Sequence, residues 1–196
     1  METVKAKKYH HGNLEEALVL AGLREARESG TRNLGVTHLA KSVSVSPMAV
    51  YRHFPSGESL KAAISQNARE NLAHRMQEAA LAVSGTRNRF RALGEAYIHF
   101  ALTEPGLFSV AFVACDVPPP REDDPSAWGV LQAGIQELCD DGLIAQSSTQ
   151  SVAAFAWSSV HGFAMLANGL DPVRPQATPE DISKLLDLVW DGILGA

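Results

Sequence analysis

The chain has 196 residues, 45% of them hydrophobic and 20% charged, with a net charge of −5. These values exclude a disordered chain and a uniformly basic nucleic-acid binder, and they allow one large domain or a small one joined to a larger. The charge is unevenly placed: residues 1–61 hold nine Lys/Arg against six Asp/Glu, the rest eight against sixteen, so a head of +3 precedes a body of −8. That asymmetry prompts a search for a nucleic-acid module in the head.

Helical spacing recurs along the whole chain, and no apolar–polar alternation marks a strand. The first helix is expected to open at Asn13, an N-cap with Glu16 three residues on, and to close at Gly30. Two short helices follow, about Val36–Val43 and Pro47–His53, the second announced by Ser46 as N-cap and Pro47 at the first helical position. Ser56 caps a long helix whose inner face runs Leu60, Ile64, Ala68, Leu72, Met76, Ala79 and Val83, until Gly85 breaks it. A helix over Arg87–Thr103 is expected to end at Pro105–Gly106, with a short apolar one at Leu107–Cys115 behind it. Residues 116–124, with three consecutive prolines and four acidic residues, read as a loop. The next helix starts at Asp124–Pro125 with Trp128, Leu131, Ile135 and Leu138 inward, and Asp141–Gly142 closes it. Thr178 and Pro179 open the last helix, which buries Ile182, Leu185, Leu186, Val189 and Ile193. The fold class is therefore all-α, with about nine helices and no internal repeat.

Val152–Leu170 approaches the length of a membrane span, but Ser158, Ser159, His161 and Asn168 interrupt it and no Lys/Arg or aromatic anchors flank it. A helix buried in a core or at a dimer interface is expected there, and no membrane. Met1–His11 is polar and basic, without the apolar stretch of a signal peptide, and Cys115 and Cys139 are too few for a disulfide framework. Both point to the cytoplasm.

The two short helices with the first make a helix-turn-helix unit. In the second, Val50 and Phe54 anchor the core side, so Met48, Ala49, Tyr51 and Arg52 face outward. Small residues at its start let the helix enter a major groove. Arg52 can pair bidentately with guanine, Tyr51 and His53 can reach phosphates, and Ser46 with the helix start can hold another. Lys5, Lys7 and Lys8 form a basic arm, expected to be solvated.

Gly30, Thr37, Leu39–Ala40, Val45–Ser46, Tyr51, His53–Phe54 and Leu60 resemble, in order and spacing, the DNA-binding head of the tetracycline-repressor (TetR) family. Tyr9–Leu14, Ala96–Ala101 with Pro105 and Phe108, and Trp157 with Val160–His161–Gly162 resemble a subgroup named for a C-terminal tryptophan–histidine–glycine motif. The resemblance implies a head over residues 1–56 and an effector-binding, dimerising body over 57–196. It places DNA contacts at Thr37, His38, Ser46, Pro47, Met48, Ala49, Tyr51, Arg52 and His53. It also implies a homodimer joined through its last two long helices, on a palindromic double-stranded DNA operator. Two positions depart from the family pattern. Ser44 replaces the usual turn glycine, and Gly57 replaces a lysine that meets a phosphate.

From residue type and resemblance together, Tyr97, Phe100, Phe108, Phe112, Trp157, His161 and Met165 are the expected lining of a pocket for a small, mostly apolar effector. His99 and His161 are equally read as buried neutral histidines with satisfied hydrogen bonds, and Gly162 as a point of close helix approach. No nucleophile–base set, metal cluster or cofactor motif appears, so no catalysis, metal or cofactor is expected. The function expected is a ligand-responsive transcriptional repressor. A DNA-binding dimer without an effector and a small helical enzyme are the alternatives.

Overall fold

The computed structural model describes residues 14–112, 125–169 and 175–194. Among them are nine α-helices and no strand: α1 Leu14–Ser29, α2 Val36–Ser42, α3 Pro47–Val50, α4 Gly57–Leu81, α5 Thr86–Thr103, α6 Pro105–Ala111, α7 Ala127–Asp140, α8 Thr149–Asn168 and α9 Pro179–Leu194. The expected cap Asn13, the basic arm and Cys115 lie outside the described residues. No described helix is long and apolar enough to cross a membrane.

The helix boundaries follow local chemistry. Gly30, at φ +64°, closes α1, and its N–H donates to Ala26 O at 2.9 Å. Ser46 Oγ accepts from the Ala49 N–H to open α3. Ser56 and Ser59 exchange side-chain-to-backbone bonds, both 3.1 Å, at the start of α4. Thr178 Oγ1 accepts from the Asp181 N–H at 3.2 Å to open α9.

Four expectations need correction. Pro105 does not end α5; the chain turns at Glu104, and Pro105 takes the first position of α6, where its missing N–H costs nothing. Val83 is not on the inner face of α4, because the helix stops at Leu81 and Val83 is 39% exposed. Trp128 is 39% exposed rather than inward. The buried stripe of α7 is Ala127, Val130, Leu131, Ile135 and Leu138, and Trp128, in the first turn, stands at its edge and meets Trp157 edge-on at 5.6 Å. Finally, α3 ends at Val50 rather than at His53, and Tyr51–His53 form the turn after it. Helix α8 leaves Phe155, Met165 and Leu166 exposed in the single chain.

One contiguous core runs from Leu18, Leu39 and Val50 in the head through Leu60, Ile64 and Leu72 of α4 to Tyr97, Phe108 and Ala164 in the body. A second cluster gathers Leu131, Ile135, Leu138, Val152, Val189 and Ile193 between α7, α8 and α9. Helix α4 joins the two ends of the molecule. Its 25 residues span about 37 Å at 1.5 Å per residue.

Candidate functional site

The turn between α2 and α3 is tight. Ser44 N donates to Lys41 O at 3.1 Å and Val45 N to Ala40 O at 2.9 Å, which forces Ser44 into the left-handed region at φ +60°. It is the only non-glycine residue with positive φ among the described residues. Val50 and Phe54 are buried and join the head core with Leu18 and Leu39. Thr37, His38, Ser46, Pro47, Met48, Tyr51, Arg52 and His53 are exposed, and Ala49 is half-buried. Of these, the polar side chains of Thr37, Tyr51, Arg52 and His53 have no hydrogen bond among the described residues. Their polar atoms are presented to solvent.

His38 is held instead. Its Nε2 lies 2.9 Å from Glu25 Oε2 on α1, and Glu25 Oε1 also accepts from Asn33 at 2.9 Å and from Ser29 at 2.8 Å. The Asn33, Ser29 and His38 bonds, in that order, draw the Glu25 carboxyl down to about 2. It is therefore a fixed anion that orients His38 at the start of α2.

The head is locked onto the body in two places. A Cβ on Gly22 of α1 would stand 2.3 Å from Ile64 Cδ1 of α4. On Gly106 of α6 it would stand 1.9 Å from Ala26 O, a backbone atom that cannot yield. Beside that contact, Glu104 accepts from Arg27 of α1 at 2.9 Å and from Arg75 of α4 at 3.2 Å. The far end of α6 is also tied to α4, because Arg69 Nη1 donates to Ala111 O at 3.1 Å.

Deeper in the body, Tyr97, Phe108, Phe112, Trp157 and His161 form an aromatic cluster. Tyr97 meets Phe108 edge-on at 5.7 Å and Trp157 at 5.4 Å, and Trp157 stacks on His161 at 5.6 Å with 10° between planes. Tyr97 Oη lies 2.6 Å from His161 Nδ1. Burial pushes the Tyr97 phenol well up and the His161 imidazole down. Both groups are therefore held in their neutral forms, joined by this hydrogen bond.

Next to this cluster is a narrow cleft, partly open to solvent. It is bounded by α5, α8 and α9, with Met76 of α4 and Leu131 of α7. Phe90, Leu93, Val160, Leu186 and Val189 make most of its wall, and Tyr97, Trp157 and His161 line it together. Arg87, Arg91 and Asp187 supply its charged groups.

Of the seven residues expected to line a pocket, three do so here: Tyr97, Trp157 and His161. Phe108 and Phe112 stand in the aromatic cluster beside them. Phe100 is fully buried elsewhere, with the Arg75 guanidinium 5.1 Å from its ring centre, and Met165 is 49% exposed. His99 is exposed on a shallow α4–α5 groove. Gly162 makes no close approach within the chain, since a Cβ there meets nothing within 4 Å. Sequence reading missed Arg87, Phe90, Arg91, Gly94 and Trp190, because walls from α5 and α9 meet only in the folded chain. No described group of three or more His, Cys, Asp or Glu is placed to hold a metal.

Comparison with known proteins agrees at both ends of the chain. A family model for bacterial regulatory proteins of the tetR family matches residues 18–64, and one for the tetracyclin repressor-like C-terminal domain matches residues 90–191. The chain is similar to the nucleoid occlusion factor SlmA of Vibrio cholerae, 35% identical over 94 residues. That match spans 47% of this chain and 47% of the relative, about half the length of each. Among solved structures it resembles a protein of unknown function from Rhodococcus sp. RHA1, with TM-score 0.77 and 25% identity over 96% of this chain and 100% of that one. It also resembles a TetR family transcription regulator from Marinobacter aquaeolei VT8, with TM-score 0.70 and 18% identity over 91% and 94% of the two chains.

Proposed function

The chain belongs to the tetR family of bacterial regulatory proteins and is a DNA-binding transcription regulator, not an enzyme, and from that premise we propose that it is a cytoplasmic, ligand-responsive repressor holding a palindromic operator as a homodimer. Residues 1–56 read the DNA and residues 57–196 bind the effector and the second copy. The face of α3 with its cap and the turn after it, Ser46, Pro47, Met48, Ala49, Tyr51, Arg52 and His53, enters the major groove. Thr37 and His38 meet the flanking phosphates, with His38 aimed by Glu25.

The observation that carries the ligand response is the path of α4. The same rigid helix packs Leu60 and Ile64 into the head core and places Met76 in the wall of the cleft. A small, mostly apolar effector held by Tyr97, Trp157 and His161 displaces that wall, and α4 carries the displacement to the head. Helix α6 gives a parallel connection, because Phe108 contacts Tyr97 while Glu104 and Gly106 grip α1. The separation of the two recognition helices in the dimer then no longer matches the half-sites, and the operator is released.

The dimer reading is supported by the faces that the single chain leaves uncovered. On α8, Phe155, Gly162 and Leu166 follow one another at helical spacing, with two large apolar side chains exposed and open space over the glycine. On α9, Leu188 is 69% exposed. Light scattering on the purified protein, together with footprinting on its own upstream DNA, tests this reading. The expected result is twice the chain mass and two protected half-sites a helical turn apart. A monomer on a single half-site contradicts it.

A further inference from the structure

We propose that the cleft selects an elongated apolar molecule ending in a single anionic group, held by Arg87; this inference rests on the reading of the cleft as the effector site. The charged groups and the Tyr97–His161 pair lie at different levels of the cleft. Arg87 and Tyr97 are ten residues apart on α5, about 15 Å along the helix, with apolar Phe90, Leu93 and Gly94 between them. A long apolar body therefore has a wall to lie against. The charged level faces solvent, since the side chains of Arg87 and Asp187 are 58% and 50% exposed.

Two arginines and one aspartate leave that level with a balance of +1. Arg91 is already committed. Its Nη1 donates to Asp187 Oδ1 at 2.7 Å and its Nη2 to Ser183 Oγ at 2.8 Å, which ties α5 to α9. Arg87 is not. Its nearest carboxylate oxygen, Asp187 Oδ1, is 3.7 Å away, and it donates no side-chain hydrogen bond among the described residues. It is nevertheless held in place, with its guanidinium 5.4 Å from the Trp190 ring centre. A positioned guanidinium with its donors unused fits a carboxylate in the bidentate geometry. A cationic end group meets repulsion there, and a neutral alcohol forfeits the charge-assisted bonds.

The test uses the full-length protein and three probes of one chain length, decanoate, decanol and decyltrimethylammonium. All are kept below micelle-forming concentrations and titrated by calorimetry, with the fluorescence of the wall tryptophans as a second readout. Decanoate is expected to bind roughly tenfold tighter than decanol, the scale of one partly screened charge-assisted contact, and the ammonium probe weakest. In Arg87→Gln, decanoate should fall to within about twofold of decanol while decanol is unchanged, and Arg87→Glu should favour the ammonium probe. Circular dichroism checks that both variants are folded. Equal binding of decanoate and decanol to the parent protein overturns the anionic preference and leaves the effector site standing. Binding of none of the three overturns both. A decanoate preference that survives Arg87→Gln overturns the role of Arg87.

Discussion

Tyr97 Oη of α5 and His161 Nδ1 of α8 are hydrogen-bonded across 2.6 Å, and this bond fixes the imidazole in the wall of the cleft. Both groups gain from burial in their neutral forms. An effector that reaches them meets a neutral imidazole rather than a cation.

A pH dependence of stability follows from this pair. Burial lowers the His161 pKa from its ordinary value of 6.5, so the unfolded chain takes up the proton at higher pH than the folded one. The stability held by the neutral imidazole is complete above about 6.5 and is lost as the pH falls toward the lowered folded value. His161→Gln cannot titrate. Between pH 7.5 and 5 the parent should lose more melting temperature than His161→Gln in a fluorimetric thermal scan. Parallel curves would show that His161 is not held neutral by the fold.

Much of the frame was legible in the sequence because its signals are local. Ser46 with Pro47, Ser56, Gly30 and Thr178 mark helix ends through groups within three or four residues, and all four act as read. The outward face of α3 was legible too, because Val50 and Phe54 define its inner side. The cleft was not. Arg87 and Trp190 meet only once α5 and α9 have packed, and nothing near either residue in the chain announces it. Trp128 was misplaced because its spacing to Leu131, Ile135 and Leu138 suggested burial, whereas in the first turn of α7 it is only partly covered, packed on Trp157.

Gly162→Ala separates chain stability from association. Within the chain the added methyl meets nothing, so replacing a helical glycine should stabilise the fold by about 0.5–1 kcal/mol. At the proposed dimer face the same methyl holds the partner helix off. Urea unfolding should shift to higher concentration while the dimer, followed by sedimentation on dilution, dissociates more readily. Unchanged association would remove α8 Gly162 from the interface.

Ser44 is held at φ +60°, a conformation costing an ordinary residue about 1–2 kcal/mol. Glycine relieves that but brings a more flexible unfolded chain, an opposing cost of about 0.5–1 kcal/mol. Ser44→Gly should therefore raise stability by roughly 0.5 kcal/mol, whereas Ser44→Ala should not. Chemical denaturation of the three proteins side by side checks the order, and a stabilising alanine would show that the turn is unstrained.

Gly57 is the first residue of α4, and a Cβ there would rest 3.5 Å from Val36 Cγ2, an ordinary contact. A side chain can therefore leave the backbone there without a clash at its first carbon. The neighbouring Lys61 is drawn to Glu58 at 2.9 Å. Gly57→Lys should add one phosphate contact per head, steepening the dependence of log K on log salt by about 0.9 for each. A lysine at a helix N-terminus costs roughly 0.3–1 kcal/mol in stability. An unchanged salt slope would place the start of α4 away from the DNA backbone.

The most direct test of the central claim is DNA binding by the α3 face. Fluorescence anisotropy of the full-length protein on the DNA upstream of its own gene, against a scrambled duplex and over a salt series, reads both selectivity and phosphate contacts. The parent should bind the upstream DNA selectively with a steep salt slope. Arg52→Ala should lose about 1–3 kcal/mol of that selectivity while keeping most of its affinity for the scrambled duplex. Equal binding of both duplexes by the parent, or an Arg52→Ala protein as selective as the parent, would contradict the account.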